Sequence, residues 1–236
     1  MRAAVDEPEL ADLDPFALMA VEADRIARFY RSLTDAGWRA PTRCAGWTRR
    51  DLLAHLAGIE DYTAAGLSGE VRTLLSHAGG GDLHEFNTWG IGRRAYLSNA
   101  DLLREWQAQV EKNDATLRER GPRALMDTSV GPYPIGRQAF YLACERAIHA
   151  DDAGVAVTGS DAEDRLDWRL RFARAALTEA RHGRVGVVAD RGAQVVRLGE
   201  DEVRLPDDQF VEAVSGRLAP EVDLPPRLRE ALAVLA

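Results

Sequence analysis

The chain has 236 residues, 46% hydrophobic and 29% charged, with a formal net charge of −8. That is ordinary globular usage, enough for one large or two small domains, and no run approaches the ~18 to 20 apolar residues of a membrane span. The negative charge opposes a polyanionic partner, because nucleic-acid affinity rests on cations neutralising phosphates. Cys44 and Cys144 are too few for a disulfide framework and lack CxxC spacing, so both are expected as free thiols in a reducing cytoplasm. The acidic start, MRAAVDEPELADLDPF, lacks the basic stretch and apolar core of an export signal. Lys112 is the only lysine among 30 basic residues. No bidentate or stacking requirement explains that replacement, whereas coding bias in a GC-rich genome, of the kind found in actinobacteria, does.

Residues 1–13 are acidic and without apolar periodicity, and read as a flexible leader. Asp14-Pro15 has the form of a cap followed by a proline at the first helical position. Behind it Phe16, Met19, Ala20, Ala23, Ile26, Ala27 and Tyr30 recur at helical spacing. That helix ends before Gly37, and residues 38–47, with Pro41 and Gly46, read as a structured loop. Thr48-Arg49-Arg50-Asp51 has the form of a capping box, opening a helix to about Leu67 with Leu52, Leu53, Leu56 and Ile59 on its apolar side. Residues 68–84, with Gly79-Gly80-Gly81, His77 and His84, are expected as a flexible excursion.

A helical pattern runs from about Phe86 to Glu119, with a break near Asn99 where Ser98 or Asn99 offers a fresh cap; Gly121-Pro122 stops it. Residues 122–136 read as a second loop, Arg137 to Asp152 as a helix, and Asp161 to His182 as a further charged helix. After Gly183 the periodicity changes. RVGVVAD, AQVVRLG and EVRLP are short β-branched segments separated by turns, followed by two short helices at about Phe210–Leu218 and Pro226–Leu235. The expectation is a mainly α protein: a helical bundle over 14–182, then a small α+β subdomain over 183–236.

Glu145 and His149 are four apart on one predicted helix and project from the same face, within reach of a single metal. The same pair is common on solvated faces. His55, among apolar neighbours in DLLAHLAG, is the candidate third ligand, although a lone histidine in such a place is more often a hydrogen-bonded core residue. Spacing alone leaves both readings open. Asp51 is explained by capping, with an orienting role behind a ligand as the alternative. Cys144 is turned ~100° from Glu145, away from ligation.

The segment PTRCAGWTRRDLLAHLAG, residues 41–58, resembles the N-terminal motif of the mycothiol-dependent maleylpyruvate isomerase family, through Pro41, Thr42, Cys44, Gly46, Trp47, Thr48, Asp51, Leu52, His55 and Leu56. CERAIHADDAG resembles that family's later E-x-x-x-H-x-x-D helix, and Phe86-Asn87 between them fits as well. The resemblance implies a DinB-like four-helix bundle with His55, Glu145 and His149 as metal ligands. Two imidazoles and one carboxylate leave positions open, as catalytic zinc sites do. Zinc is the first choice, and iron(II) or nickel suits the same donors. The resemblance further implies mycothiol as cosubstrate: its thiolate adds to a substrate double bond, the resulting single bond rotates, and elimination releases the isomer, while relatives use the thiol for transfer. Substrate carboxylates need a cationic partner, and Arg93, Arg94 or Arg146 is expected to supply it at the bundle mouth. The C-terminal part resembles a shortened sterol-carrier-protein-like domain. The alternative to an enzyme is a non-catalytic metal-binding or ligand-sensing bundle; a monomer or homodimer is expected in either case.

Overall fold

The computed structural model describes residues 8–79, 83–181 and 185–235. Helix α1 (Pro15–Ser32) starts where the sequence places it: the Asp14 carboxylate accepts from the Phe16 and Ala17 amides at 2.9 and 3.2 Å, with Pro15 in the first turn. A single turn, α2 (Asp35–Trp38), is capped by Thr34. Helix α3 (Arg49–Ser68) opens on the expected capping box, the Thr48 side chain accepting from the Asp51 amide while the Asp51 carboxylate accepts from the Thr48 amide and hydroxyl. Asp51 is therefore a capping residue. The expected excursion at 68–84 contains a seven-residue helix, α4 (Val71–His77), anchored by fully buried Val71; Gly80 and Gly81 lie outside the described residues. The helical pattern that follows divides at the expected break into α5 (Leu83–Gly92) and α6 (Asn99–Arg120), the latter capped by Ser98.

The loop after α6 carries a minimal ladder of β1 (Leu125–Met126) and β2 (Tyr133–Pro134), which leads into α7 (Ile135–Ala153). Helices α1, α3, α6 and α7 form the four-helix bundle, α1 packing chiefly on α7 and α3 on α6. Ile26, Ala27 and Tyr30 meet Leu53, Leu56 and Ala57, with Leu102, Trp106 and Ala150 closing the core. Helix α5 crosses α3 where Gly58 and Gly90 come together, a Cβ on either lying 3.5–3.6 Å from the other's Cα. Tyr30 Oη donates to the Arg49 carbonyl at 2.7 Å and ties α1 to the start of α3.

Asp14–Ala156 form one compact unit; the segment from Val157 onward, with 8–13, forms another. The second contains α8 (Ser160–Arg181), the antiparallel sheet β3 (Gly186–Ala189), β4 (Ala193–Leu198) and β5 (Asp201–Pro206), then α9 (Asp207–Val214) and α10 (Pro226–Leu232). Sequence reading put α8 in the bundle. Its apolar stripe, Leu170, Ala173 and Leu177, instead belongs to a core with Val196, Leu205, Phe210 and Val214. Residues 8–13, expected as part of the leader, are tied to α8: Leu10 is buried, Arg171 donates to the Glu9 carbonyl and pairs with Asp12, and Arg174 pairs with Glu9 at 3.0 Å. Among the described residues, no helix is long and apolar enough to cross a membrane.

Candidate metal centre

His55 lies in the second turn of α3, and Glu145 and His149 project one turn apart from α7. Their ligand atoms form a near-equilateral triangle. His55 Nε2 is 3.1 Å from Glu145 Oε1 and 3.1 Å from His149 Nε2, and His149 Nε2 is 3.2 Å from Glu145 Oε1. Both histidines are buried, whereas 29% of the Glu145 side chain remains exposed. The opening is therefore on the carboxylate edge. Trp47, from the loop before α3, packs its ring 5.0 Å from that of His55.

The residues fit a divalent metal on two grounds. Donors ~2.0 to 2.1 Å from a tetrahedral ion lie about 3.3 Å from one another, close to the triangle found. Without a cation the three donor atoms crowd one another: His55 Nε2 lies 3.1 Å from both Glu145 Oε1 and His149 Nε2, and Glu145 Oε1 is the acceptor that both imidazoles share. A proton on His55 Nδ1 is buried with no acceptor at hydrogen-bonding geometry, although the Asn87 side chain is beside it. A cation held by His55, Glu145 and His149 would relieve that crowding.

Burial opposes charge on His149, but the Glu145 carboxylate and hydrogen bonds to Asp152, Cys44 and Glu145 outweigh it and hold its pKa well above the ordinary imidazole value. For His55 burial wins and the pKa falls. Burial of Glu145 favours the neutral acid; the charge on His149 and hydrogen bonds from both imidazoles reverse this and hold the carboxyl well below its usual range.

A second group meets the first at His149. Its Nδ1 is 3.0 Å from Asp152 Oδ2, and Cys44 Sγ lies 3.2 Å from that oxygen and 3.9 Å from Nδ1. The Arg43 amide donates to the Asp152 carbonyl at 3.1 Å, which brings the loop carrying Cys44 against the end of α7. Asp152 was the residue sequence reasoning left without a role. Its signal was the third-residue spacing from His149, one turn along the same face. Cys144 is buried and lies in neither group.

The three arginines expected to bind substrate are placed otherwise. Arg146 is buried: Nη1 donates to the Met19 carbonyl at 3.0 Å and to Asp114 at 2.8 Å, and Nη2 to Glu60 at 2.9 Å and Asp114 at 2.8 Å. Arg94, also buried, donates to Asp61 and Glu105 at 2.8 Å each and to the carbonyls of Gly90 and Ala57. Both are structural clamps between helices rather than free forks. Arg93 remains half-exposed, paired with Asp61 at 3.3 Å and stacked over Trp89. Burial decides the matter: an arginine kept from water is held by carboxylates inside the protein, and those are chosen by the fold.

A helical bundle whose facing helices present two imidazoles and one partly open carboxylate defines a class of metal-competent bundle proteins. Within that class the chain belongs to a family: residues 19–154, more than half its length, match the mycothiol maleylpyruvate isomerase N-terminal domain. The whole chain is similar to a solved mycothiol-dependent maleylpyruvate isomerase, at 18% identity over 96% of this chain and 99% of that one, with a TM-score of 0.63. It is similar also to a histidine-to-alanine variant of that isomerase, at 18% identity over 92% of each chain, with a TM-score of 0.60. At such identity the likeness speaks for the fold. The shortening expected of the C-terminal part does not appear in this comparison, since nearly all of the solved isomerase chain is covered. No curated protein matches the chain.

Proposed function

We propose that this chain is a metal-dependent enzyme that uses mycothiol to attack a small electrophilic substrate, either transferring the thiol or driving cis–trans isomerisation. His55, Glu145 and His149 would hold the metal, zinc being the first choice. The observation that carries this reading is the convergence of three ligand atoms within 3.2 Å on helices from opposite parts of the chain, with one edge open. A metal bound there supplies Lewis acidity, which brings a thiol of ordinary pKa ~8.5 to thiolate at neutral pH.

The chain's own residues do the rest. His149 and His55 supply the closed, buried side of the site, and Trp47 covers the His55 ring, so that approach is confined to the Glu145 edge. Arg94 and Arg146 hold α3 against α5, α6 and α7, which keeps the two ligand-bearing helices at their spacing. The domain reading that goes with this function is a bundle carrying the whole ligand set and a C-terminal α+β part, in a cytoplasmic protein.

Elemental analysis of the purified protein beside His55→Ala, followed by thiol-consumption assays with mycothiol and a panel of electrophiles, tests the reading. About one metal per chain, lost in the variant, with mycothiol consumed or substrate isomerised only by the loaded protein, supports it. Metal without turnover across the panel favours the sensing bundle. Absence of metal after reconstitution at neutral pH sinks both.

A further inference from the structure

Of the two histidines in the cluster, His149 has both ring nitrogens committed: Nε2 faces His55 and Glu145, while Nδ1 faces Asp152 at 3.0 Å. The Asp152 side chain is fully buried. Cys44 and Arg43 also approach its carboxylate, Cys44 Sγ at 3.2 Å from Oδ2 and Arg43 Nε at 3.9 Å from Oδ1. A carboxylate at this depth accepts protons from whatever surrounds it. Of its neighbours only His149 is also part of the ligand triangle.

We propose that Asp152 is a positioning residue, which by accepting the Nδ1 proton of His149 fixes that ring in the one tautomer whose Nε2 lone pair is directed into the ligand cluster. Cys44 donates its thiol proton to the same carboxylate and completes the shell, and the Arg43 amide bond to the Asp152 carbonyl holds the loop in place. The ring can neither flip nor exchange its proton between nitrogens without losing its 3.0 Å hydrogen bond to the buried Asp152 carboxylate. The arrangement is asymmetric, because His55 Nδ1 has no partner of comparable geometry. His149 is therefore the fixed ligand and His55 the one that settles when the ion arrives.

This inference rests on the proposed metal site, so the test separates the two. Zinc affinity is measured by chelator competition for wild type, Asp152→Asn, Asp152→Ala and Cys44→Ala, with metal-free melting temperatures alongside. Asp152→Ala is expected to weaken zinc binding by about 10- to 100-fold, Asp152→Asn by less and Cys44→Ala least, since removing a partner behind a ligand typically costs that much. Equal affinity in wild type and both Asp152 variants overturns the proposal while leaving the metal site intact; no binding by wild type overturns both.

Because an Asp152 variant can misfold, nitrogen-15 NMR of histidine-labelled wild type provides a second reading. The expected signature is a protonated Nδ1 on His149 in the zinc-loaded protein, and a protonated Nε2 refutes the proposal. Cobalt substitution covers the remaining arrangement. A thiolate-to-cobalt charge-transfer band that vanishes in Cys44→Ala would place the metal on the Nδ1 side of the ring, with Cys44 and Asp152 as ligands, and would refute it too.

Discussion

Arg146 and Arg94 illustrate what a residue's surroundings do to its meaning. As isolated letters they are cations available for a substrate carboxylate; in the bundle they are spent on Glu60, Asp114, Asp61 and Glu105. Sequence could not reveal this, because Arg146 lies 86 positions from Glu60 and 32 from Asp114, pairings set by helix packing alone. Arg146→Met is expected to destabilise the protein by roughly 3 to 5 kcal/mol, since it leaves Glu60 and Asp114 without their countercharge. Urea unfolding checks this, and a loss under 1 kcal/mol would show that the clamp is dispensable. Arg93→Ala, by contrast, removes a half-exposed pair and is expected to cost no more than about 1 kcal/mol by the same measurement. The convergence of the candidate ligands was legible in part for a local reason: Glu145 and His149 share a helix, so one turn of spacing places both. His55 needed the motif around it, because nothing in its apolar surroundings separates a ligand from a core histidine.

At the scale of elements, helices with written caps were readable and short ones were not. Asp14, Thr48 and Ser98 each announce a helix, and each caps one. Helices α2 and α4 have too few residues for a periodic stripe and exist because Trp38 and Val71 are buried by the rest of the bundle. Thr48→Ala is expected to cost ~0.5 to 2 kcal/mol through loss of the box that starts α3, read as a drop in melting temperature. The other end of the same helix is governed by sterics. A Cβ on Gly66 would sit 2.6 Å from the Asp127 carbonyl oxygen and from Met126 Cε. The backbone oxygen cannot swing aside as a side chain would, so Gly66→Ala is expected to destabilise by about 1 to 3 kcal/mol. A neutral result in thermal melts would mean that the loop through Asp127 yields freely.

At the scale of the whole molecule, the chain divides into two units with separate cores, and His55, Glu145 and His149 all lie within Asp14–Ala156. The change from helical to alternating periodicity after Gly183 located the sheet correctly. It misled about the preceding helix, because an amphipathic stripe says that a face is buried but not against what. Since a bound ion stabilises the state that binds it, zinc at a hundredfold excess over its dissociation constant is expected to add ~2.7 kcal/mol to the unit holding the ligands. Hydrogen exchange resolves the effect: slower exchange in α3 and α7 on adding zinc, with α8 and β4 unchanged. Equal protection across both units would show that they unfold as one.

The clamps on Glu60 and Asp61 lie just past His55 on the same helix, and neither uses a ligand side chain. The clamps and the proposed metal centre therefore draw on different residues of a shared scaffold. On the proposed reading, a variant that lacks His55, Glu145 or His149 keeps both clamps, so its bundle is expected to assemble while the ion is lost. A variant that lacks Arg94 or Arg146 is expected to lose stability instead, whichever residues hold the ion.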